Sequence, residues 1–257
     1  MNPDGLSLVA LPGLPLVSPG EDLPALLVAA MAGNGLEPCA HDVLVVAQKI
    51  VSKSQGRYVR LADVVPSSRA VELAALVQKD PRHVEVILSE STEIIAARPG
   101  VLIVVHRLGF IMANAGVDQS NVEQEPDDEQ VLLLPEAPDA WCETMRAHIY
   151  RHFGVEVGVV MSDSFGRPWR IGVTGVAIGA AGLPAVVDCV GEPDLFGRAL
   201  RVTQIAFADE IAAAAGLLMG QASQGRPAVL LRGLSWRQAP APASALLRPK
   251  HQDIFRS

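Results

Sequence analysis

Apolar positions along the chain fall into short dense runs and into spaced stripes. "DVLVVAQKIVSKSQG" (Asp42 to Gly56) is a dense run that turns polar, which predicts a buried strand leading into a loop that carries Lys49 and Lys53. Ser67 to about Ile95 has helical spacing in two stretches, split by "DPRH" (Asp80 to His83). "GVLIVVHRLGFIMANAGVDQSN" predicts two strands, Val101 to His106 and Phe110 to Ala113, joined by the turn Arg107 to Gly109. "VEQEPDDEQ" (Val122 to Gln130) reads as an acidic surface loop, and "VLLLP" after it as a short strand. "DAWCETMRAHIYRHFG" predicts a helix with Asp139 as N-cap and Gly154 as its stop. In "VVMSDSFGRPWRIG" an apolar strand ends on Asp163 and turns through Gly166 and Pro168, with Arg167 and Arg170 around Trp169. Ile205, Ala208, Ile211, Ala212, Ala215, Leu218 and Met219 form a 3.6-residue stripe, hence a helix packed on the core and stopped by Gly220. "PAVLLRGL" predicts a last strand, and "APAPASALLRP" a linker-like arm. Strands and helices alternate irregularly. The expected fold is mixed α/β without the rhythm of a doubly wound sheet, in a single domain over residues 1–257 with 235–257 as a C-terminal arm.

Composition narrows the function. Hydrophobic residues make up 49% and charged residues 19%, which provides a sizeable core and argues against disorder. The formal net charge of -7 argues against a sequence-independent grip on nucleic acid, which needs a basic face. No apolar run is long enough for a membrane span, and the N-terminal stretch does not read as a signal peptide. Cys39, Cys142 and Cys189 are scattered and read as free thiols of a reducing, cytoplasmic compartment. His148 and His152, four apart on one helix without an HExxH motif, read as helix-surface residues.

The common nucleotide and nucleophile signatures are missing. There is no GxxxxGK[ST] P-loop, "GAAG" (Gly179 to Gly182) is not the Rossmann fingerprint, and there is no GxSxG. What remains is a pair of strand-end aspartates, Asp118 in "NAGVDQSNV" and Asp163 in "MSDSFGRPW". Hard divalent cations take carboxylate oxygens and waters and share substrate phosphates. The plain alternative is that each aspartate only caps its turn. Arg167 and Arg170 are bidentate forks for phosphate or carboxylate, or surface partners of the nearby Asp163. Lys53 reads as a point charge for a phosphate or as an exposed loop lysine. These residues suggest a metal-dependent enzyme acting on phosphates or carboxylates.

Seven segments together resemble the coenzyme F420-0:L-glutamate ligases, the gamma-glutamyl ligases of deazaflavin coenzyme biosynthesis. They are "GLPLVSPGEDL", "DVLVVAQKIVSKSQGR", "NAGVDQSNV", "LLLPEAPDA", "VGVVMSDSFGRPWRIGVTGVAIGAAGL", "DLFGRALRVTQIAFADEIAAAAGLLMGQ" and "PAVLLRGL", in order from residue 13 to about 234. The resemblance implies a GTP-dependent, GDP-forming ligase. It would activate the terminal carboxylate of coenzyme F420-0 as an acyl phosphate, which the amine of L-glutamate then attacks, with further gamma-linked glutamates possible in later rounds. It also implies an unusual α/β fold assembled as a homodimer, two Mg²⁺ or Mn²⁺ sites, and leaves a K⁺ requirement open. Relatives with a fused flavin-binding second domain exist, and this chain is expected to lack that domain.

Residue by residue, the resemblance places Leu14, Pro15, Leu16 and Val17 in an early nucleotide-contact segment, with Gln48, Lys53 and Asn121 as further contacts. Asp118, Asp163 and Lys53 take the catalytic roles. Asp118, Asp163, Ser164 and Gln221 take the metal positions, Ser164 standing where the family usually has Thr and Gln221 where relatives often have Glu. The loop Leu218, Met219, Gly220, Gln221, Ala222, Ser223, Gln224 and Gly225 matches a further GTP-binding segment. Two alternatives stay open: a paralogous ligase for another amino acid or acid acceptor, and a nucleotide-binding relative that has lost catalysis through Gln221.

Overall fold

A computed structural model describes residues 5–122, 124 and 129–255. The chain runs β1 (Ser7–Ala10), α1 (Leu23–Gly33), β2 (Val43–Ala47), α2 (Gln48–Ser54), β3 (Tyr58–Arg60), α3 (Ser68–Val77) and α4 (Pro81–Ser89). It continues through β4 (Ser91–Arg98), β5 (Val101–His106), β6 (Ile111–Ala113), β7 (Gln130–Leu132), α5 (Pro138–Phe153), β8 (Gly158–Arg167) and β9 (Arg170–Ala181). The last elements are β10 (Val187–Asp188), β11 (Gln204–Ile205), α6 (Phe207–Met219) and β12 (Ala228–Arg232).

The central sheet has five strands in the order β1-β12-β2-β8-β9. Only β2 and β8 run parallel; the other neighbours are antiparallel. The dense run in β2 is apolar on both sides because both faces of the sheet are covered. Leu44, Val46, Val159 and Met161 pack with α1 and α5 on one face, and Val43, Val45, Val160 and Val229 with α6 on the other. A second layer joins the three-stranded sheet β4-β5-β6 to α3 and α4 around Leu73, Ile87, Leu102 and Val104.

Local chemistry sets most helix ends. Asp22 caps α1 by accepting from the Ala25 N–H at 3.1 Å, and Ser67 caps α3 by accepting from the Ala70 N–H at 3.2 Å. Asp80 accepts from the Arg82 N–H at 2.7 Å, ahead of Pro81 at the start of α4. Gly154 closes α5 in the left-handed region at φ 69°.

Strand β9 carries the glycine- and alanine-rich stretch for a steric reason. A Cβ on Gly175 would meet the Ala212 carbonyl oxygen of α6 at 2.4 Å, and one on Gly179 would meet the Pro138 carbonyl oxygen of α5 at 2.7 Å. A bulge at Ile178, between the pairs Met161↔Gly179 and Ser162↔Ala177, turns the strand so that it meets both helices.

Five sequence expectations change. Ile205, counted in the α6 stripe, lies outside that helix and pairs with Val187 in β11. The stretch carrying Lys49 and Lys53 is the helix α2, not a loop; Gln48 and Ser52 bond across one turn at 2.9 Å within it. Helical spacing does not persist to Ile95, because α4 ends at Ser89 and residues 91–98 pair with β5 as a strand. Asp139 does not cap α5. Ala137 is the N-cap, and the Asp139 carboxylate accepts from the Ala180 and Ala243 N–H groups, each at 2.8 Å, thereby tying β9 and the C-terminal segment to the helix. Asp163 does not end a strand. β8 runs on to Arg167, held extended by its hairpin with β9, and the turn falls at Pro168 and Trp169, whose φ is 59°.

Within the expected C-terminal arm, Ala241 N–H bonds the Leu183 carbonyl at 3.0 Å and Ala243 is fully buried. The acidic loop expected at Val122 to Gln130 lies largely outside the described residues, and only Val122, Gln124, Glu129 and Gln130 are described.

Candidate active site

The parallel pairing of β2 with β8 sets Ala47 opposite Ser162, so the start of α2, at the carboxyl end of β2, lies beside Asp163 midway along β8. Crevices at such ends are where α/β sheets bind ligands. Asp118 arrives from the second layer. Its backbone is pinned by a two-way bridge to Leu132, at 3.1 and 2.8 Å. Asn114, Ala115 and Gly116 just before it all have positive φ, a tight turn that carries the chain from β6 back over the cleft.

Lys49 Nζ lies 2.7 Å from Asp118 Oδ2 and donates to the Ser120 carbonyl at 3.0 Å. Ser120 also serves Asp118, its N–H donating to Oδ1 at 2.7 Å and its hydroxyl to Oδ2 at 2.9 Å. Burial alone would push the Asp118 carboxyl up, but the Lys49 ammonium and the Ser120 N–H outweigh it and hold it below the ordinary value. Asp163 goes the other way. Burial pushes it up to about 6, against the opposing pull of the Ser164 N–H and Lys49, and the charge of Asp118 adds to the rise. Two carboxylates sharing one cleft thus hold their protons very differently.

The rest of the expected site converges on the same cleft. Lys53 Nζ donates to the Asn121 carbonyl at 2.7 Å, and Asn121 Nδ2 reaches the Ala222 carbonyl at 3.4 Å. Ser164 Oγ donates to Gln221 Oε1 at 2.6 Å, joining β8 to the loop after α6. A pocket of about 350 Å³ is lined by Leu14, Pro15, Leu16, Val17, Lys53, Asn121, Met219, Gly220, Ala222, Ser223 and Gly225. It shares Lys49, Asn121, Gly220 and Ala222 with a smaller cleft of about 230 Å³ that holds Gln48, Asp118, Asp163, Ser164 and Gln221. Leu218 packs against the core beneath α6, and Gln224 folds back to accept from the Ala222 N–H at 2.9 Å. Among the described residues neither Arg167 nor Arg170 forms an ion pair with Asp163; Arg167 instead lines a third cavity next to it.

Sequence reasoning missed Lys49 and Ser120. The signal for Lys49 was its position directly after Gln48 and one helical turn before Lys53, which becomes informative only once the stretch is read as helical. Cys142 is fully buried on α5, where burial pushes its thiol well up, and it takes no part in the cleft.

At the four expected metal positions, Asp118, Asp163, Ser164 and Gln221, the cleft offers oxygens from two carboxylates, a hydroxyl and a carboxamide, with an ammonium already drawn to one carboxylate. That set suits a hard divalent cation. Among the described residues it includes no group of three or more acidic, His or Cys side chains, so further ligands would be neutral oxygens of the protein, water or phosphate.

The family described as F420-0:Gamma-glutamyl ligase matches residues 13–233. The protein named Coenzyme F420:L-glutamate ligase of Methanothermobacter thermautotrophicus is 42% identical over 254 residues, covering 98% of this chain and 99% of the relative. Its namesake of Methanopyrus kandleri is 43% identical over 259 residues, covering 98% and 99%. That of Archaeoglobus fulgidus is 40% identical over 244 residues, covering 95% and 94%. The chain belongs to the F420-0:gamma-glutamyl ligase family and is a ligase. Among the described residues no helix is long and apolar enough to cross a membrane.

Proposed function

We propose that this protein is a GTP-dependent ligase that joins L-glutamate to coenzyme F420-0 and then adds further gamma-linked glutamates. One observation supports it above the others. The cleft with Asp118 and Asp163 is continuous with a pocket built from Leu14–Val17, Lys53, Asn121 and the loop after α6. A phosphate donor in that pocket has its terminal phosphate directed at the two carboxylates.

In this reading a carboxylate oxygen of the acceptor attacks the γ-phosphorus of GTP, the bond to GDP breaks, and an acyl phosphate forms. The amine of glutamate attacks the acyl carbon, phosphate departs with the bond's electron pair, and the amine gives up its proton as the amide forms. Lys49 and Lys53 hold phosphate oxygens, and Asn121 and Ala222 close the pocket over the nucleotide. Asp118, Asp163, Ser164 and Gln221 would hold Mg²⁺ or Mn²⁺, which neutralises phosphate charge as it shifts towards GDP. Like unit charges ~4 Å apart repel by about 4 kcal/mol at an effective dielectric of ~20, so cations are needed to bring three anionic reactants together.

The protein acts as a homodimer in this proposal. The exposed apolar side chains of Trp169, Ile171 and Val173 on the β8–β9 hairpin, and of Leu195, Phe196 and Val202 between β10 and β11, favour burial against a second copy. Its setting is the cytoplasm, where coenzyme biosynthesis and free thiols agree.

The test is mass spectrometry of purified protein with F420-0, L-glutamate, GTP and Mn²⁺. The expected product gains one or more glutamyl units with GTP and none with ATP or without glutamate. A protein that binds GTP but leaves F420-0 unchanged moves the assignment to another acceptor or amino acid.

A further inference from the structure

Helix α2 starts at the carboxylate cleft and carries Gln48, Lys49, Ser52 and Lys53 among its seven residues. Its side chains divide between two tasks. Lys49, Ile50 and Lys53 line the Leu14–Val17 pocket, and Gln48 does not. Gln48 lines the cleft that holds Asp163 and the cavity of about 560 Å³ beside it. It is 4% exposed, and Ser52, one turn further along the same face, is fully buried.

A serine inside a helix can return its hydroxyl to the backbone carbonyl four residues back. Ser52 Oγ donates instead to the side chain of that residue, reaching Gln48 Oε1 at 2.9 Å. A fully buried hydroxyl requires a partner, and Gln48 provides it. The bond also settles which way the carboxamide faces. A carboxamide has an acceptor end and a donor end, whereas an ionised carboxylate only accepts. With Oε1 held by Ser52, Nε2 is the end turned to Asp163, whose carboxylate takes a hydrogen bond from the Gln48 side chain. Turned the other way, the carboxamide would set oxygen against oxygen. The Ser164 N–H donates to Asp163 Oδ1 at 2.8 Å, so the carboxylate is oriented by donors from both α2 and β8.

We infer that Ser52 is a positioning residue for Asp163 and acts through Gln48: the buried hydroxyl fixes the carboxamide, and the carboxamide fixes the carboxylate. Outer partners of this kind orient a metal-binding carboxylate before the cation arrives. Consecutive residues of α2 thus serve the two acids, Gln48 facing Asp163 and Lys49 lying 2.7 Å from Asp118. The inference rests on the ligase reading only for the use of Asp163 as a metal ligand; the orientation of Gln48 stands on geometry.

The test compares full-length wild type with Ser52→Ala, Ser52→Cys, Gln48→Met and the double variant Ser52→Ala/Gln48→Met. Methionine keeps the length of Gln48 without its carboxamide. Three quantities are read: hydrogen exchange of the Gln48 side-chain amide by NMR in the metal-free protein, Mn²⁺ affinity by calorimetry, and affinity for a fluorescent GDP analogue without metal. Ser52→Ala should speed exchange of the Gln48 amide and weaken Mn²⁺ binding, each by about fivefold. Ser52→Cys, with a weak donor in the same place, should fall in between. Gln48→Met should weaken Mn²⁺ binding by about tenfold. Adding Ser52→Ala to it should change nothing further, because the hydroxyl has then lost the group it acts through. The GDP analogue should bind within about twofold throughout, because the pocket wall of Lys49, Ile50 and Lys53 is untouched, and this also shows that the variants fold. Equal losses of Mn²⁺ and GDP-analogue affinity in Ser52→Ala would mean that the serine only holds the helix together, and would overturn the inference. So would additive effects in the double variant, or unchanged amide exchange in Ser52→Ala. Wild type that binds no Mn²⁺ and extends no F420-0 removes the ligase reading, and amide exchange then still decides whether Ser52 orients Gln48.

Discussion

Lys49 Nζ sits 2.7 Å from Asp118 Oδ2, between the start of α2 and the turn after β6. Both side chains remain partly exposed, at 25% and 38%, so the pair contributes little to stability, about 1 kcal/mol at most. In the proposed ligase its value is positional: the ammonium stands where a phosphate would arrive. Lys49→Met should therefore leave the melting temperature nearly unchanged while lowering kcat/KM for GTP by about 10²–10³, the scale for removing one preorganised contact to developing charge. Steady-state GDP release beside a thermal melt checks both halves.

Asp163 ties the cleft to pH. Its folded-state value of about 6 lies above the ordinary 3.8, so the metal-free fold holds an extra proton between those values. That contribution to stability is complete below pH ~4 and is lost as pH rises through ~6. Metal-free wild type should therefore lose stability between about pH 4 and 6 relative to Asp163→Asn. At pH 8, Mn²⁺ at ~100 times its dissociation constant should add about 2.7 kcal/mol to wild type, a rise of roughly 5–10 °C. Asp118→Asn and Asp163→Asn should show no such rise by scanning fluorimetry and should lose ligase turnover. Full activity in both variants would remove Asp118 and Asp163 from the metal role.

Gln221 tests how much charge the cleft needs. Its Oε1 accepts from Ser164 Oγ at 2.6 Å, so a glutamate could occupy the same place. Gln221→Glu should tighten Mn²⁺ binding by about tenfold, because ligand charge sets affinity for hard cations. It should also lower metal-free stability by adding a third acid to the cleft. Calorimetric titration that shows unchanged affinity would mean that Gln221 faces away from the cation. A large gain in turnover would mark the natural protein as impaired, and unchanged turnover as adapted to glutamine.

Away from the cleft, Glu90 clamps the second layer. Its carboxylate meets Arg57 at 3.2 Å and Arg107 at 3.0 Å, with His106 Nε2 at 3.3 Å. Burial pushes this carboxyl up, but His106, Arg107 and Arg57 together bring it down to about 2 from an ordinary 4.5. A depressed value stabilises the fold above pH ~4.5 and loses that effect as pH falls towards ~2. Glu90→Gln should cost about 3 kcal/mol at pH 7, because two guanidinium groups lose their buried partner, and much less at pH 3. Chemical denaturation at the two pH values decides it.

The contact of β9 with α6 predicts a steric penalty. A Cβ on Gly175 would sit 2.4 Å from the Ala212 carbonyl oxygen, backbone against backbone, so Gly175→Ala should destabilise by about 1–3 kcal/mol. Gly33, at the end of α1, has nothing within 4 Å of an added Cβ, and Gly33→Ala should stabilise by up to about 1 kcal/mol. Paired urea melts compare the two.

Much of the architecture was legible because it rests on local rules. The α6 stripe predicted its buried residues Ala208, Ile211, Ala212 and Ala215, and Gly154 and Gly220 stop α5 and α6 as expected. The β5–β6 turn was legible from its tight loop. The length of β8 was not, because glycine and proline after Asp163 signal a turn, whereas pairing with a twelve-residue partner strand keeps the chain extended to Arg167. Nor was α2, a seven-residue helix without a side-chain cap, which is too short to hold by propensity and is kept by packing Ile50 and Val51 into the core.

By itself the sequence determined the residue types and their spacing: two aspartates each set among small residues, two lysines four residues apart, a glycine- and alanine-rich stretch, and motifs shared with one ligase family. Tertiary structure decided which of these meet. Lys49 finds Ser120 across 71 residues and Ser164 finds Gln221 across 57, and no local periodicity records either distance. The parallel step from β2 to β8 and the bridge from Asp118 to Leu132 bring both acids to one cleft. Close packing then gives the two carboxyls opposite shifts, because desolvation and neighbouring charge depend on position in space and not on position in the chain.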